Sequence, residues 1–288
     1  MFMQMIHNNS IFSFKPDQTV ANSSIEILEK CIQEIRQWMQ QNFLKLNDDK
    51  TEFLLFGSRQ QLSKVSIPYI KIGDSKIFPA SQARSLGVTF DSAMTMEPHI
   101  SNVIRSSSCH IRNIGKIRKF LNRDAAEQIV HSFITSRLDN GNSLLFGLPQ
   151  SQINRLQRLQ NTAARIVTLS RKSCHITPIL CELHWLPVSF RITYKILLIV
   201  YKSLNGLAPV YISELINLYS PLRNLRSSNL CLLQGRRAKH SWGDRSFHVI
   251  APRLWNALPL ELKSCNNILV FKRLLKTHLM KLAFPDLL

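Results

Sequence analysis

The sequence has no apolar stretch able to cross a bilayer: its best run, residues 196–201, is far short of the ~20 residues that a spanning helix needs. The amino terminus, MFMQMIHNNS, has no basic segment ahead of an apolar one, so no secretory leader is read there. Cysteine is sparse. Cys31, Cys109, Cys174, Cys181, Cys231 and Cys265 lie far apart, unlike the dense framework of a small secreted domain, and are expected to be reduced thiols. There is no internal repeat and no low-complexity tract, which argues against a solenoid or a disordered tail. Together these absences point to a soluble intracellular protein, in cytoplasm or nucleus, with no membrane partner.

Acidic residues are also scarce, but only in one region. The 288 residues carry 37 Lys and Arg against 18 Asp and Glu, a formal charge of +19. Residues 1–100 hold ten of each sign, so the whole excess, 27 basic against eight acidic, falls in residues 101–288. A field of that sign attracts polyanions, with phosphate backbones the commonest intracellular candidates. A polybasic membrane anchor would gather its charge into one block beside an amphipathic or lipidated segment, whereas here it is scattered over several elements. Nucleic acid is the favoured partner, and a solvated basic surface is the alternative.

What is present reads as α+β, a small antiparallel sheet with a helix at the N-terminal third and mainly α-helical structure beyond. In residues 24–43, Ile25, Leu28, Ile32, Ile35 and Met39 recur at helical spacing after a Ser-Ser start able to cap a helix. The runs 52–56, 69–72, 76–78 and 85–90 are short and β-prone, separated by Gly57, Pro68, the Gly73-Asp74 turn and Pro79. After Pro98, Ile100, Val103, Ile104, Ile111, Ile114, Ile117 and Leu121 keep helical spacing while Arg105, Arg112, Lys116 and Lys119 form a separate basic stripe. Helices are predicted over 123–138 and 151–169, the second with Ile153, Leu156, Ala163 and Val167 inside and Arg155, Arg158 and Arg165 outside. Others are predicted over 188–204, 209–218 and 268–282. Between 219 and 258 periodicity does not choose between a long loop and a small β element.

Several strings carry a resemblance. WMQQNFLKLNDDKTEFLLFGS (38–58) and SLGVTFD (85–91), followed by His99-Ile100, resemble consecutive blocks of reverse transcriptases from LINE-type (non-LTR) retrotransposons, at the expected separation. Downstream, RLQRLQNTAARIV (155–167), HITPIL (175–180), LHWLPV (183–188), YKSLNGLAPVYI (201–212), APRLWNALP (251–259) and FKRLLKTHL (271–279) resemble the thumb and C-terminal region of the same polyproteins, in the same order. The similarity spans roughly residues 12–284. It implies a palm remnant at 1–97, a helical thumb-like domain at 98–172 and a mainly helical C-terminal region at 173–288.

The resemblance also implies a chemistry and marks where it fails. Such polymerases hold two Mg²⁺ ions on palm aspartates, two of them adjacent in an aromatic-x-Asp-Asp hairpin, and the ions stabilise the attacking and leaving oxygens together. Counted from SFKP (13–16), those two aspartates would fall near Ile6 and His7, which cannot serve. The expectation is a fragment lacking the catalytic aspartates, with no cofactor of its own, retaining at most binding of RNA or RNA-DNA hybrid by phosphate contacts. Alternatives are an incomplete gene model of an active reverse transcriptase and a host-co-opted interaction module. Lys50, in the string N-x-x-K-T-E, corresponds to a lysine near the family's active site. Asp48-Asp49 falls where the family has a turn. The basic residues Arg105, Arg112, Lys116, Lys119, Arg155, Arg158 and Arg165 lie where the thumb tracks template and primer. Few aromatics interleave them, so stacked single-strand recognition is not indicated.

Other chemistries find less support. Cys174, His175, Cys181 and His184 fall within eleven positions, but the adjacent first pair and the lack of a C-x₂₋₄-C pair do not suit zinc. No Gly-flanked nucleophile string appears. Trp38, Trp185, Trp242 and Trp255 sit in apolar neighbourhoods and are expected in the core. A palm remnant is expected to leave 52–56 at an unpaired sheet edge open to self-association, with poor solubility of the N-terminal third.

Overall fold

The computed structural model describes residues 2–6, 10–13, 17–73, 75–220, 231–238 and 243–287. His7, the Phe14 to Pro16 end of SFKP, Asp74 and Trp242, all singled out above, lie outside the described residues. The chain divides into two compact units, Met1–Asn102 and Val103–Leu288.

In the first unit, strands β1 (Phe2–Ile6) and β2 (Ser10–Ser13) precede the long helix α1 (Gln18–Gln41). Strand β3 (Glu52–Phe56), the one-turn helix α2 (Arg59–Leu62), β4 (Ile70–Ile72), β5 (Ser75–Ile77), β6 (Pro79–Ala80), β7 (Gln82–Ser85) and β8 (Val88–Asp91) follow. The main sheet has the order β2-β1-β3-β6, antiparallel except for β3 with β6, and β4-β5 and β7-β8 form separate two-stranded ladders. Strand β3 is buried on both faces because its alternation sends apolar residues each way. Phe53 joins Leu28 and Ile32 of α1 and Ile70 and Ile72 of β4, whereas Leu54 and Phe56 pack with Ala83.

Four expectations for this unit need correction. Residues 52–56 are not an unpaired edge, since β1 and β6 flank β3. The run 85–90 is not one strand: Leu86 and Gly87, at φ 47° and 85°, turn the chain into the β7-β8 hairpin. Helix α1 starts six residues before Ser24, because the Asp17 carboxylate accepts the Thr19 and Val20 amides and caps it there. Ser23 and Ser24 instead turn their hydroxyls back onto the Val20 carbonyl inside the helix. Trp38 is 59% exposed, because it lies off the Leu28-Ile32-Ile35-Met39 stripe.

Helix α3 spans Glu97–Ile117. Its start is fixed by Asp91, which accepts the amides of Thr95 at 3.0 Å and Met96 at 2.8 Å, and by buried His99, whose Nδ1 accepts the Thr89 amide at 3.4 Å. Burial and the Arg84 charge hold the His99 imidazole below its ordinary pKa, in keeping with a neutral ring accepting at Nδ1. Thus the end of SLGVTFD and the histidine behind it act as a strand-to-helix junction.

The second unit is helical. Helices α4 (Arg123–Val130) and α5 (Ser136–Asp139) are joined by a π-helical turn, His131–Thr135, so the predicted helix 123–138 is nearly continuous but widened at its middle. Then come α6 (Gln150–Thr168), α7 (Ile176–Glu182), α8 (Val188–Leu204), α9 (Val210–Ser213), α10 (Phe247–Asn256), α11 (Leu260–Lys263) and α12 (Ile268–Ala283). The helix predicted over 209–218 shrinks to the single turn α9, and Leu218 instead forms an isolated antiparallel bridge with Leu233. Asn256 closes that region by exchanging hydrogen bonds with both backbone groups of Leu233, at 2.8 and 2.9 Å. Among the described residues, 219–258 is therefore a loop with one bridge, then a helix.

The downstream strings are packing devices. Gln157 and Gln160 of α6 bond the Val188 amide and the Leu186 carbonyl, at 2.8 and 2.9 Å, joining RLQRLQNTAARIV to LHWLPV. Tyr201, Trp255 and Phe271, one from each of three further strings, meet in one core, with the Tyr201 and Phe271 rings stacked at 4.1 Å between centroids. Rings buried this way contribute through lost apolar surface and ring geometry together.

Candidate nucleic-acid interface

Helix α3 separates its two faces by spacing. Ile111 and Ile114 are buried, while Arg105, Arg112 and Lys116, at intervals of seven and four, are exposed on another side of the helix. Lys119 continues the exposed stripe on the 3₁₀ turn Arg118–Phe120, its Nζ 4.8 Å from the Phe120 ring centroid. Among the described residues none of these four cations has an ion pair. They can therefore meet phosphate oxygens without breaking a bond inside the protein.

Helix α6 supplies the rest less uniformly. Arg158 is exposed and Arg155 half-buried, and both line an open groove of about 330 Å³ whose other wall is Ile104, Ser108 and Ile111 of α3. Arg155 also donates to Gln152 Oε1 at 2.8 Å, an i,i+3 contact along its own helix. Arg165 departs from the expected outward stripe. It is half-buried, its Nη2 donates to the Cys174 carbonyl at 3.2 Å and its Nε is buried with no hydrogen-bond partner, so it ties α6 to the following loop. The structure thus brings six of the seven predicted residues to α3, its 3₁₀ extension and the facing groove, and gives Arg165 a structural contact.

An eighth basic residue of this region, Arg118, was not legible as such from the stripe. Arg118 is only 7% exposed, and its guanidinium donates to the carbonyls of Ile166, Val167 and Leu121 at 2.8, 2.6 and 2.7 Å. The last carbonyls of α6 carry the negative end of the helix dipole and have no partners within the helix, so a buried cation satisfies both demands. The signal was available: Arg118 continues the buried positions Ile111 and Ile114 at helical spacing, not the exposed stripe.

The remaining candidates are structural or solvent-facing. The Asp48 carboxylate pairs with Arg36 and accepts the Ser75 hydroxyl at 3.4 Å, which ties α1 to the 3₁₀ turn Asp48–Lys50 and to β5. Asn47 caps that turn through the Lys50 amide at 3.3 Å, and Lys50 is exposed. Cys174, His175 and His184 are exposed and Cys181 half-buried, all six cysteines are free thiols, and among the described residues no group of three or more His, Cys, Asp or Glu could hold a metal ion. No described helix is long and apolar enough to cross a membrane.

The chain is 29% identical over 153 residues to the probable RNA-directed DNA polymerase from transposon BS of Drosophila melanogaster, a match covering 51% of this chain and 16% of that protein. It is thereby related to a transposon reverse transcriptase. No protein-family model matches the chain, and no solved structure matches it.

Proposed function

We propose that this chain is the C-terminal part of a LINE-type reverse transcriptase, comprising a palm remnant (1–97), a thumb-like helical domain (98–172) and a C-terminal helical region (173–288). In this reading it binds RNA or RNA-DNA hybrid by phosphate contacts and does not itself polymerise. The observation that carries the proposal is the similarity to the transposon polymerase, of whose length the matched stretch spans about a sixth. Two features of the fold support it. An antiparallel β1-β2 pair, which β3 extends, lies where the resemblance puts the active-site hairpin, and Ile6 ends its first strand at an aspartate position. The cations of α3, which have no ion pair among the described residues, form with Arg158 across the groove a surface suited to a backbone of regular negative charge.

Such contacts fix affinity and register without reading sequence, so binding should depend on salt and be indifferent to base composition. The test is titration of the full chain with a labelled RNA-DNA hybrid from low to physiological salt, with Mg²⁺ and deoxynucleotides present and primer extension scored in the same samples. Affinity that falls steeply with salt, with no extension, is the expected result. Absence of binding at low salt would remove the interface, and primer extension would overturn the assignment of Ile6 and His7 to the aspartate places.

A further inference from the structure

Within the second unit, away from the α3 stripe, α4, α5, α8, α12 and the segment 183–186 line a half-open cavity of about 380 Å³, within the usual size range of small-molecule sites. Its wall includes the π-helical turn His131–Thr135, a rare distortion of an α-helix that is frequent at functional sites. The turn contributes His131 and Thr135 to the lining.

The charges around this cavity are unequal in what they have left to offer. Both carboxylates are already engaged. Glu127 accepts the Trp185 indole N–H at 3.1 Å and faces His131 Nε2 at 3.3 Å, while Asp139 is held by both ends of the Arg191 guanidinium and by the Asn142 amide at 3.2 Å. Lys195 and Lys276 also line the cavity, are exposed, and have no ion pair among the described residues. Asn142 differs again. The residue is 3% exposed and lines the cavity, and its Oδ1 is buried without a hydrogen-bond partner, an acceptor lacking a donor.

We propose that this cavity is a binding site for a ribose phosphate, in which the phosphate meets Lys195 and Lys276 and a sugar hydroxyl donates to Asn142 Oδ1. An anion suits the two free ammonium groups, and an inorganic anion alone would leave the acceptor unsatisfied. A sugar hydroxyl supplies the missing donor. Tyr194 lines the same cavity, and burial raises its pKa, so its hydroxyl stays protonated and is a donor for a phosphate oxygen. A free nucleotide and the terminal nucleotide of an RNA strand share this chemistry.

The test titrates the full chain with AMP, ribose 5-phosphate and inorganic phosphate, read by calorimetry, beside two variants. One carries Lys195→Gln and Lys276→Gln and the other Arg112→Gln and Lys116→Gln, with circular dichroism confirming that both fold. AMP and ribose 5-phosphate should bind at least tenfold tighter than phosphate. The first variant should weaken that binding at least tenfold and the second leave it unchanged. Displacement of AMP by a phosphate-terminated oligoribonucleotide identifies a strand end as the source, and failure to displace identifies the free nucleotide. No AMP binding by the wild-type chain at millimolar concentration, or equal loss in both variants, would overturn the proposal. Because the stripe and the cavity are altered separately, either reading can fail without the other.

Discussion

The two units use charge in opposite ways. In Met1–Asn102, where the signs balance, acidic side chains join the backbone and neighbouring elements: Asp17 caps α1, Glu29 takes the Lys71 amide, Asp48 pairs with Arg36, Glu52 takes the Arg84 amide and Asp91 starts α3. In Val103–Leu288, among the described residues, two acids form ion pairs with arginines, Glu182 with Arg123 and Asp139 with Arg191, while the basic residues outnumber the acids more than threefold. Some of the excess is structural, as in Arg118 and Arg165, but the α3 stripe faces water with no ion pair among the described residues. A net charge of +19 is therefore a poor guide by itself. The informative quantity is the charge that remains after internal partners are assigned.

The largest effect is expected at the core of the second unit. Phe271→Ala removes a fully buried ring stacked on Tyr201 and touching Trp255, and should destabilise by about 3 to 5 kcal/mol. Hydrogen exchange should then show protection lost in α8, α10 and α12 and kept in β3 and α1. Equal loss in both would contradict two separately stabilised units. Arg118→Met keeps most of the apolar stem but strips the end of α6 of two charge-assisted hydrogen bonds and the Leu121 carbonyl of a third, a cost on the order of 3 kcal/mol in denaturant titration. Lys119→Met, one residue on, should leave the midpoint unchanged, which separates the buried cation from the exposed one.

A smaller effect belongs to the first unit. The folded state holds His99 below its ordinary pKa, so as pH falls below about 6.5 the unfolded chain takes up the proton first. Stability of this unit should be full above that pH and decline as pH drops toward the folded value. His99→Asn, which keeps an acceptor for the Thr89 amide but does not titrate, should flatten the profile between pH 5 and 7. An unchanged profile would place the titrating group elsewhere.

Local pattern was enough where one face of an element decides its fate. The periodicity of 188–204 matches α8 at both ends, and that of 268–282 matches α12 to within one residue, because their apolar stripes face the shared Tyr201-Trp255-Phe271 core. Elements set by a long-range partner were less legible. The Leu86-Gly87 turn was hidden within a β-prone run, and β6 exists only through its pairing with β3. Trp38 sits in an apolar string yet faces solvent, whereas Trp185 and Trp255 are buried with their indole N–H groups bonded to Glu127 and to the Cys231 carbonyl. Within the candidate site, the exposed stripe followed from spacing alone. That Arg118 and Arg165 serve the end of α6 and its following loop depended on tertiary neighbours, and so did the cavity around Asn142.

The most direct test of the account compares the salt dependence of RNA-DNA hybrid binding by the wild-type chain with that of a variant carrying Arg105→Gln, Arg112→Gln, Lys116→Gln and Lys119→Gln. If the stripe tracks a phosphate backbone, the slope of log affinity against log salt should be shallower in the variant by roughly 0.9 for each side chain that meets a phosphate. Identical slopes would contradict it and leave these four cations as solvated surface.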